Sequence, residues 1–590
     1  MSGPVGRASR NAMMWTLSVT TRSTLRGKLV QGVLRRCCLA MRNKCRAVMR
    51  RCAAVLLSLA LVLPLHAPAA TDPHPRLVVV IVVDQLRGDL PARAASASAD
   101  GGFSRIMNGG VIYDQAFYEH ATTATAPGHA TLFTGAHPSQ HGIVANEWYD
   151  REAKQRTAAV RAPAHGREPG PYNLLATTIG DELLLACGSR CRVFSVSGKD
   201  RGAIMPGGRL GKAFWFDTQS GGFRSSQYYF PALPEWVMQW NAAIPKAEYP
   251  EQWTLLREPR SYAAIDMDDR PFERPPQRLG RTFPHALGRT GDPGYFQLFT
   301  HTPYVDALTL QFVRRLVDVE ALGTHAMPDL LAVSLSATDY VGHSFGPESL
   351  EAEDNLARLD RELATFMEFL DQRIGRERYL LVLTADHGLA ATPEYAATLG
   401  LTTHRIDAKT LVDTVERELA SRLHTPGPVV SAFVPPGLYL DRSRLTASSV
   451  NPADAAAIAA AVLRRQPGIA YAVTTEGLPS DPLIGELVRN SIREDRSGDV
   501  YVIAEPESAI VEDMNLYTAD HGSPYAADRY VPLYFVGAGL SAQRIDRMVS
   551  TRSLATTLAV VLGVPAPSHA SAAALVEVTA ERTRRERVRR

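Results

Sequence analysis

Three long apolar runs constrain the fold of this 590-residue chain most strongly, because each leads into an aspartate. They are LVVVIVVD at 77–84, LLAVSLSATD at 330–339 and YLLVLTAD at 379–386. Nearly unbroken runs of β-branched residues and leucine suit strands that are buried on both faces of a parallel sheet. Helical segments between them, such as 174–187 and 350–375, predict an α/β fold with helices on both faces of a central, mostly parallel sheet.

Aspartate and histidine residues stand at the ends of these runs and at one later position. The carboxyl ends of parallel strands meet at one edge of a sheet, where open α/β folds bind their ligands. Each aspartate could simply cap the next helix, but carboxylate oxygen and imidazole nitrogen are also the usual zinc ligands where thiolates are absent. Two ions held in this way suit displacement at phosphorus. The six residues are Asp84, Asp339, His343, Asp386, His387 and His521.

A threonine opens the segment TAPGHATLFTGAHPSQHGIVAN at 125–146. Pro127 suits the first turn of a helix, where its missing N–H is not needed. Gly128 is interpreted as leaving room for a phosphoryl group to approach the backbone. Thr125 is then either an ordinary N-cap or a nucleophile whose alkoxide is stabilised by a metal ion and a helix N-terminus. The segment alone does not decide between these two roles.

Ordered landmarks along most of the chain, from about residue 77 to about residue 565, resemble the alkaline phosphatase superfamily. The resemblance is to the branch with a threonine nucleophile, which includes nucleotide pyrophosphatase/phosphodiesterases and certain periplasmic alkaline phosphatases. Each landmark alone is weak evidence for this resemblance, whereas all of them together are highly specific. They are VVDQLRGD, TAPGHATLFTG, HGIVANEW, SGKDR, TDYVGH, ADHG and DHGSPY.

The resemblance implies a zinc-dependent alkaline phosphatase with two Zn²⁺ per chain and a covalent phospho-threonine intermediate that water then hydrolyses. It implies that Asn146 donates to a phosphoryl oxygen. His129, His137 and His141 match landmark positions but not metal ligands, and are interpreted as supporting the loop. The implied ligands are Asp84, Thr125, Asp386 and His387 for one zinc and Asp339, His343 and His521 for the other.

The SGKDR motif at 197–201 bears on the type of ester. A phosphate monoester carries up to two negative charges on its transferred group, whereas a diester carries one. Lys199 and Arg201 alternate along a segment predicted to be extended, so both can face one way and neutralise the extra charge. This Lys-x-Arg pair resembles the monoesterase group, and a solvated turn with two surface cations is the alternative.

A phosphomonoesterase is therefore the favoured prediction. A phosphodiesterase or nucleotide pyrophosphatase on the same scaffold is one alternative, and an exported, non-catalytic protein that keeps the metals only for folding is another. A sulfatase does not fit, because the cysteine or serine nucleophile and the arginine four residues later are replaced by Thr125 and His129.

The first 70 residues are typical of an export signal. They carry twelve Lys/Arg and no Asp/Glu, which leaves 52 Lys/Arg against 61 Asp/Glu in the remainder, a net charge of −9. Basic residues ending at Arg51 precede an apolar run at 53–65 and the small residues APAA at 67–70. The run is short for a membrane span, and an uncleaved anchor is the alternative. We expect a periplasmic or secreted protein that meets the membrane only during export, acts on small phosphate esters and has no specific nucleic-acid partner.

Cysteine and tryptophan usage adds two expectations. Cys187 and Cys191 are the two cysteines that lie outside the basic N-terminal head, residues 1–70. They could form a small-loop disulfide or stay as free thiols. Four of the six tryptophans lie at 205–300, interpreted as an insertion that covers the site. The predicted organisation is an extension with signal (1–70), a catalytic core in three parts (71–204, 301–427 and 511–570), an aromatic and proline-rich insertion (205–300), a small α+β insertion (428–510) and a basic tail (571–590).

Overall fold

A nine-stranded sheet forms the centre of this computed structural model, which describes residues 74–161, 168–475 and 477–580. The predicted signal at 1–70 and the last ten residues of the predicted basic tail lie outside the described residues. No helix in the described part of the chain is both long and apolar enough to span a membrane.

Nineteen strands lie within these residues. They are β1 (Leu77–Val83), β2 (Gly110–Phe117), β3 (Glu147–Asp150), β4 (Gln155–Ala158), β5 (Val193–Ser197), β6 (Lys212–Phe216), β7 (Phe223–Arg224), β8 (Gln252–Trp253), β9 (His285–Ala286), β10 (Asp329–Leu335), β11 (Tyr379–Thr384), β12 (Arg405–Asp407), β13 (Val430–Val434), β14 (Gly437–Leu440), β15 (Ile469–Thr474), β16 (Val500–Ala504), β17 (Ala509–Val511), β18 (Tyr530–Gly537) and β19 (Gln543–Ser550).

The α-helices that lie wholly within the described residues occur between or after these strands, several of them in consecutive pairs. They are α1 (Leu90–Ala97), α2 (Gly102–Gly109), α3 (Thr125–Thr134), α4 (Pro138–His141), α5 (Ile179–Cys187), α6 (Asp200–Gly207), α7 (Glu235–Ala243), α8 (Tyr295–Thr300), α9 (Tyr304–Val319), α10 (Ala337–Phe345), α11 (Leu350–Arg373), α12 (Pro393–Thr398), α13 (Ala408–Leu423), α14 (Arg442–Ala447), α15 (Pro452–Leu463), α16 (Pro482–Ser491), α17 (Ala526–Arg529) and α18 (Ser553–Leu562).

The central sheet has the strand order β19-β2-β18-β11-β1-β10-β5-β6-β7. The five neighbouring strands β11, β1, β10, β5 and β6 are parallel, whereas β18 and β7 run antiparallel to their neighbours. Every residue of β1, β10 and β11 is buried, as expected for strands covered on both faces. The predicted α/β class with a mostly parallel central sheet is confirmed.

Strand register brings the ends of the three apolar runs to one edge. Val82 of β1 pairs with Ser334 of β10 and with Thr384 of β11, so the carboxyl ends of these strands are level. Asp84 and Asp386 follow their strands within two residues. Both carboxylates therefore start at the same edge of the sheet.

The expectation that Asp339 ends a strand is wrong. Strand β10 stops at Leu335, and Asp339 lies in the first turn of α10. The carboxylate of Asp306 accepts the N–H groups of Ser336 and Ala337 at 2.7 and 3.1 Å, which satisfies donors at the start of this helix. Asp339 consequently reaches the strand ends from a helix.

Capping also shortens the helix predicted at 174–187. Helix α5 begins at Ile179, because the Thr178 hydroxyl accepts the N–H of Asp181 while the Asp181 carboxylate accepts the N–H of Thr178. The helix ends before Gly188, which was the predicted stop. Cys187 and Cys191 are joined in a disulfide.

The two predicted insertions differ in how far they separate from the central sheet. Strands β6 and β7 lie inside residues 205–300 yet belong to the central sheet. Trp253, in the same range, is fully buried, and its indole N–H donates to Oδ2 of Asp354 at 2.7 Å. Residues 428–510 instead contain their own four-stranded sheet, β13-β14-β16-β15, with a separate apolar core.

Candidate active site

Thr125 is the first residue of α3, directly after the extended Ala124. Its hydroxyl oxygen is buried and makes no hydrogen bond to any described residue, so Thr125 does not act as an N-cap. Gly128 has a different role from the one expected. A Cβ at Gly128 would lie 2.1 Å from the carbonyl oxygen of Asp386, so the glycine lets α3 approach the backbone after β11 rather than making room for a ligand.

One group of candidate metal ligands lies after the carboxyl ends of β1 and β11. Ligand atoms of Asp84, Asp386 and His387 lie within 4.8 Å of one another, and all three side chains are fully buried. Four buried atoms make no hydrogen bond within the described residues: Asp84 Oδ1, Thr125 Oγ1, Asp386 Oδ2 and His387 Nε2.

These four atoms are the ones implied to hold the first zinc. Buried polar atoms are normally satisfied, because an unpaired one costs about 1–3 kcal/mol. Two carboxylate oxygens, a hydroxyl and an imidazole nitrogen make a suitable donor set for Zn²⁺. The residues present therefore fit a metal ion at this position.

The second group lies beside the first. Oδ1 of Asp339 is 3.3 Å from Nε2 of His343 and 3.4 Å from Nε2 of His521. His387 also lies within reach of this group, since its ligand atom is within 4.8 Å of those of Asp339 and His521. The two predicted ligand sets thus form one continuous acid and imidazole cluster.

Backbone carbonyls orient all three histidines in the same way. Nδ1 of His343 is 2.9 Å from the carbonyl oxygen of Ala519, and Nδ1 of His521 is 2.8 Å from that of Thr123. Nδ1 of His387 lies 3.0 Å from the carbonyl oxygen of the next residue. A carbonyl can only accept, so each Nδ1 donates its proton and each Nε2 is the ring nitrogen that faces the cluster, the orientation typical of metal-ligating histidines.

The cluster favours positive charge. Burial alone would lower the pKa of His387, but the carboxylates of Asp386 and Asp84 outweigh burial and raise it to about 9. Burial likewise opposes ionisation of Asp339, yet the charges of His343 and Lys199 hold its pKa well below the ordinary value. Asp339 is therefore a carboxylate at neutral pH.

Lys199 lies inside this cluster. Its Nζ donates to Oδ2 of Asp84 at 2.6 Å and to Oδ2 of Asp339, and it lies 4.9 Å from the ring centre of Tyr340. The predicted extended segment is wrong, because α6 begins at Asp200 and places Arg201 in its first turn. Nε of Arg201 is buried and makes no hydrogen bond to the residues that the structure describes.

The other landmark residues support the loops. Nδ1 of His129 contacts the carbonyl oxygen of Thr125 at 2.8 Å and its Nε2 lies 3.0 Å from the hydroxyl of Ser334. His141 contacts Thr131 at 3.1 Å, and His137 caps α4.

Three further residues of the site were not among the predicted ones. Asp520 forms a third group with His343 and His521. A signal for Asp520 was present, because TADHG occurs at both 384–388 and 518–522. Gln85 and Asp528 contact the backbone or carboxylates of the ligand loops. Gln85 lies within the landmark VVDQLRGD, whereas no predicted motif contains Asp528.

The fold and the site together define a class: a hydrolase with the alkaline-phosphatase type of α/β fold and a cluster of carboxylate and imidazole groups near the ends of the central strands. A family model for type I phosphodiesterase / nucleotide pyrophosphatase matches residues 78–524. The chain belongs to this family, and the resemblance drawn from the motifs is confirmed.

Curated relatives match over most of their length. Alkaline phosphatase PhoV of Synechococcus elongatus is 32% identical, covering 84% of this chain and 91% of its own. Alkaline phosphatase PafA of Elizabethkingia meningoseptica is 31% identical, covering 86% and 95%. A protein of Myroides odoratus named as a calcium-transporting ATPase is 32% identical, covering 84% and 93%.

The crystal structure of PafA gives a TM-score of 0.80 at 30% identity and covers 86% of this chain and all of the other. A further solved PafA variant, at a TM-score of 0.78 and 29% identity, is altered at a threonine, an asparagine, a lysine and an arginine, and covers 86% of this chain and 99% of its own. These are the residue types of Thr125, Asn146, Lys199 and Arg201.

Proposed function

We propose that this protein is an exported, zinc-dependent alkaline phosphatase that hydrolyses small phosphate monoesters through a covalent phospho-threonine on Thr125. The observation that carries the proposal is the position of Lys199. Its ammonium group contacts Asp84 and Asp339, one carboxylate from each implied ligand set. A cation between the two sets lies where the extra negative charge of a monoester would be neutralised.

The nucleophile of the proposed reaction is the hydroxyl of Thr125. The hydroxyl loses its proton as its oxygen attacks phosphorus, and the bond between phosphorus and the ester oxygen breaks. The alkoxide leaves with the electron pair and takes up a proton, which balances the one that Thr125 has lost. Water then cleaves the threonine phosphate ester and releases inorganic phosphate. Thr125 is the first residue of α3, so the partial positive charge of the helix N-terminus lies close to this oxygen.

Zinc ions bound by the two ligand sets would stabilise the attacking and the leaving oxygens of this displacement. In the proposed reaction Asn146 orients the phosphoryl group. Its side-chain oxygen accepts the N–H of Ala126 at 2.8 Å, so its NH₂ group is the donor that remains for a phosphoryl oxygen.

Export rests on two supports. The basic head, the apolar run at 53–65 and the small residues after it follow the pattern of a signal peptide. The disulfide between Cys187 and Cys191 suits an oxidising compartment such as the periplasm.

The deciding experiment is the ratio of kcat/KM for p-nitrophenyl phosphate to that for bis(p-nitrophenyl) phosphate on the zinc-loaded protein. A ratio far above one supports a phosphomonoesterase. A ratio below one would move the protein to the phosphodiesterases of the same family, with the same Thr125 and a different role for Lys199.

A further inference from the structure

Gln85 follows Asp84 and has an uncommon backbone conformation. Its φ is +69°, in the left-handed region that residues other than glycine rarely adopt. The residue is only 2% exposed. A buried side chain held in this conformation indicates that the surrounding contacts determine it.

Those contacts join the two predicted metal groups. The backbone N–H of Gln85 donates to Oδ1 of Asp386 at 3.1 Å, and its side-chain Nε2 donates to Oδ1 of Asp339 at 2.9 Å. Because φ is positive, one residue directs its main-chain and its side-chain donors to two different carboxylates. Gln85 is also covalently joined to the third aspartate, Asp84.

A glycine in α10 makes room for the amide. A Cβ at Gly342 would lie 1.9 Å from Oε1 of Gln85. Glycine inside a helix costs roughly 1 kcal/mol relative to alanine, so its presence directly before His343 needs a reason. The close approach of the Gln85 side chain supplies that reason.

We propose that Gln85 is a positioning residue that holds Asp339 towards His343 and His521, and thereby sets the zinc affinity of that group. A carboxylate oxygen has two lone pairs. One pair on Oδ1 of Asp339 is taken by Gln85, which leaves the other for the metal ion that His343 and His521 would also bind. Outer partners of metal ligands typically contribute about 10–100-fold in affinity. The inference rests on the proposed function, which requires two ions.

Gln85→Gly is the most selective test, because glycine accepts the positive φ without strain and keeps the backbone bond to Asp386. Zn²⁺ binding is measured by competition with a chromophoric chelator, without substrate, on the metal-free wild type and variant. We expect one of the two ions to bind about 10–100-fold more weakly and the other to keep its affinity. Thermal unfolding of both metal-free proteins checks that the variant is folded.

Two further variants identify the ion concerned. Gly342→Ala should weaken the same ion, because its methyl group displaces the Gln85 amide. The His521→Ala variant already lacks one ligand of the affected set. In that background Gln85→Gly should not weaken Zn²⁺ binding any further. Equal weakening of both ions, or two unchanged ions in Gln85→Gly, would overturn the role of Gln85. A wild type that binds fewer than two Zn²⁺ would overturn the two-zinc proposal itself and this inference with it.

Discussion

The side-chain oxygen of Asn146 accepts a 2.8 Å hydrogen bond from the backbone nitrogen of Ala126, the residue after the proposed nucleophile. This bond fixes which end of the amide faces the site. Asn146→Ala should lower kcat for a phosphate monoester by about 10²-fold, as for the loss of one donor to a developing oxyanion. Asn146→Asp keeps the acceptor and replaces the donor, so steady-state kinetics should show at least as large a loss. Full activity of Asn146→Asp would contradict the donor role.

Thr125 contributes the atom that attacks phosphorus, so its removal should be more damaging than any other single change. Thr125→Ala should lower kcat by at least about 10³-fold, as nucleophile removal does in other covalent hydrolases. Thr125→Ser keeps a hydroxyl and should retain measurable turnover. Rapid quenching of Thr125→Ser with a ³²P-labelled monoester should trap phosphoserine at this position. Wild-type turnover by Thr125→Ala would exclude the covalent route.

Removal of the Lys199 charge should distinguish the two ester classes. Lys199→Met keeps the apolar stem and should lower kcat/KM for the monoester by about 10²-fold or more, with a much smaller effect on the diester. Arg201→Ala should act in the same direction. The matched control is Lys246→Met, at an exposed lysine of the predicted insertion, which should leave kcat/KM for both esters unchanged. Equal losses with both esters would refute the assignment of Lys199 and Arg201 to the extra phosphoryl charge.

Lys199 has a second effect that depends on the metals. In the metal-free protein its ammonium is a cation that contacts the buried carboxylates of both Asp84 and Asp339. Loss of one partner from a buried pair costs about 3–5 kcal/mol, so metal-free Lys199→Met should unfold at lower denaturant concentration than the metal-free wild type. Zinc binding should restore most of the stability that the variant has lost. Denaturant titrations with and without Zn²⁺ measure this.

Much of the site was predictable because strand ends converge. The apolar runs marked β1, β10 and β11, and parallel pairing then required Asp84 and Asp386 to meet at one edge. His387 was marked by its position directly after Asp386, His343 by its position four residues after Asp339, and His521 by the segment TADHGSPY at 518–525. Asp339 was also placed at this edge, although a helix rather than a strand carries it.

Contacts between distant segments were not predictable in the same way. Gly128 faces the backbone of Asp386, and Gln85 reaches Asp339 across 254 positions of sequence. Such contacts depend on how α3 and α10 pack against the sheet, which no local pattern records. The edge strands β6 and β7, which lie within residues 205–300, were not predicted because they are short.

Asp528 holds the two loops that carry His387 and His521. Its Oδ1 accepts the N–H of Ala390 at 3.0 Å, and its Oδ2 accepts those of Gly522 and Ser523 at 3.1 and 2.9 Å. Asp528→Asn replaces one acceptor by a donor and leaves at least one of these N–H groups unpaired. We expect a loss of about 1–3 kcal/mol in the free energy of unfolding together with weaker zinc retention on dialysis. An unchanged denaturation midpoint would show that the loops are held by other contacts.

Glu273 should make the stability of the protein depend on pH. It is 6% exposed, and neither carboxylate oxygen has a hydrogen-bond partner among the described side chains and backbone. Burial, and then the nearby Glu351, raise the pKa of Glu273 to about 9. In the unfolded chain the same carboxyl ionises at about 4.3. The unfolded state therefore releases a proton that the folded state retains, and stability falls as pH rises through this interval.

Glu273→Gln stays neutral at every pH and removes this dependence. Relative to the wild type, the variant should have nearly the same free energy of unfolding at pH 4 and an increasing advantage up to about pH 9, where the folded wild type also ionises. Urea titrations at several pH values in that interval measure the difference. Glu258→Gln, at an exposed position of the same insertion, is the matched control and should show no such trend. A constant difference across the interval would mean that Glu273 is ionised in the folded protein.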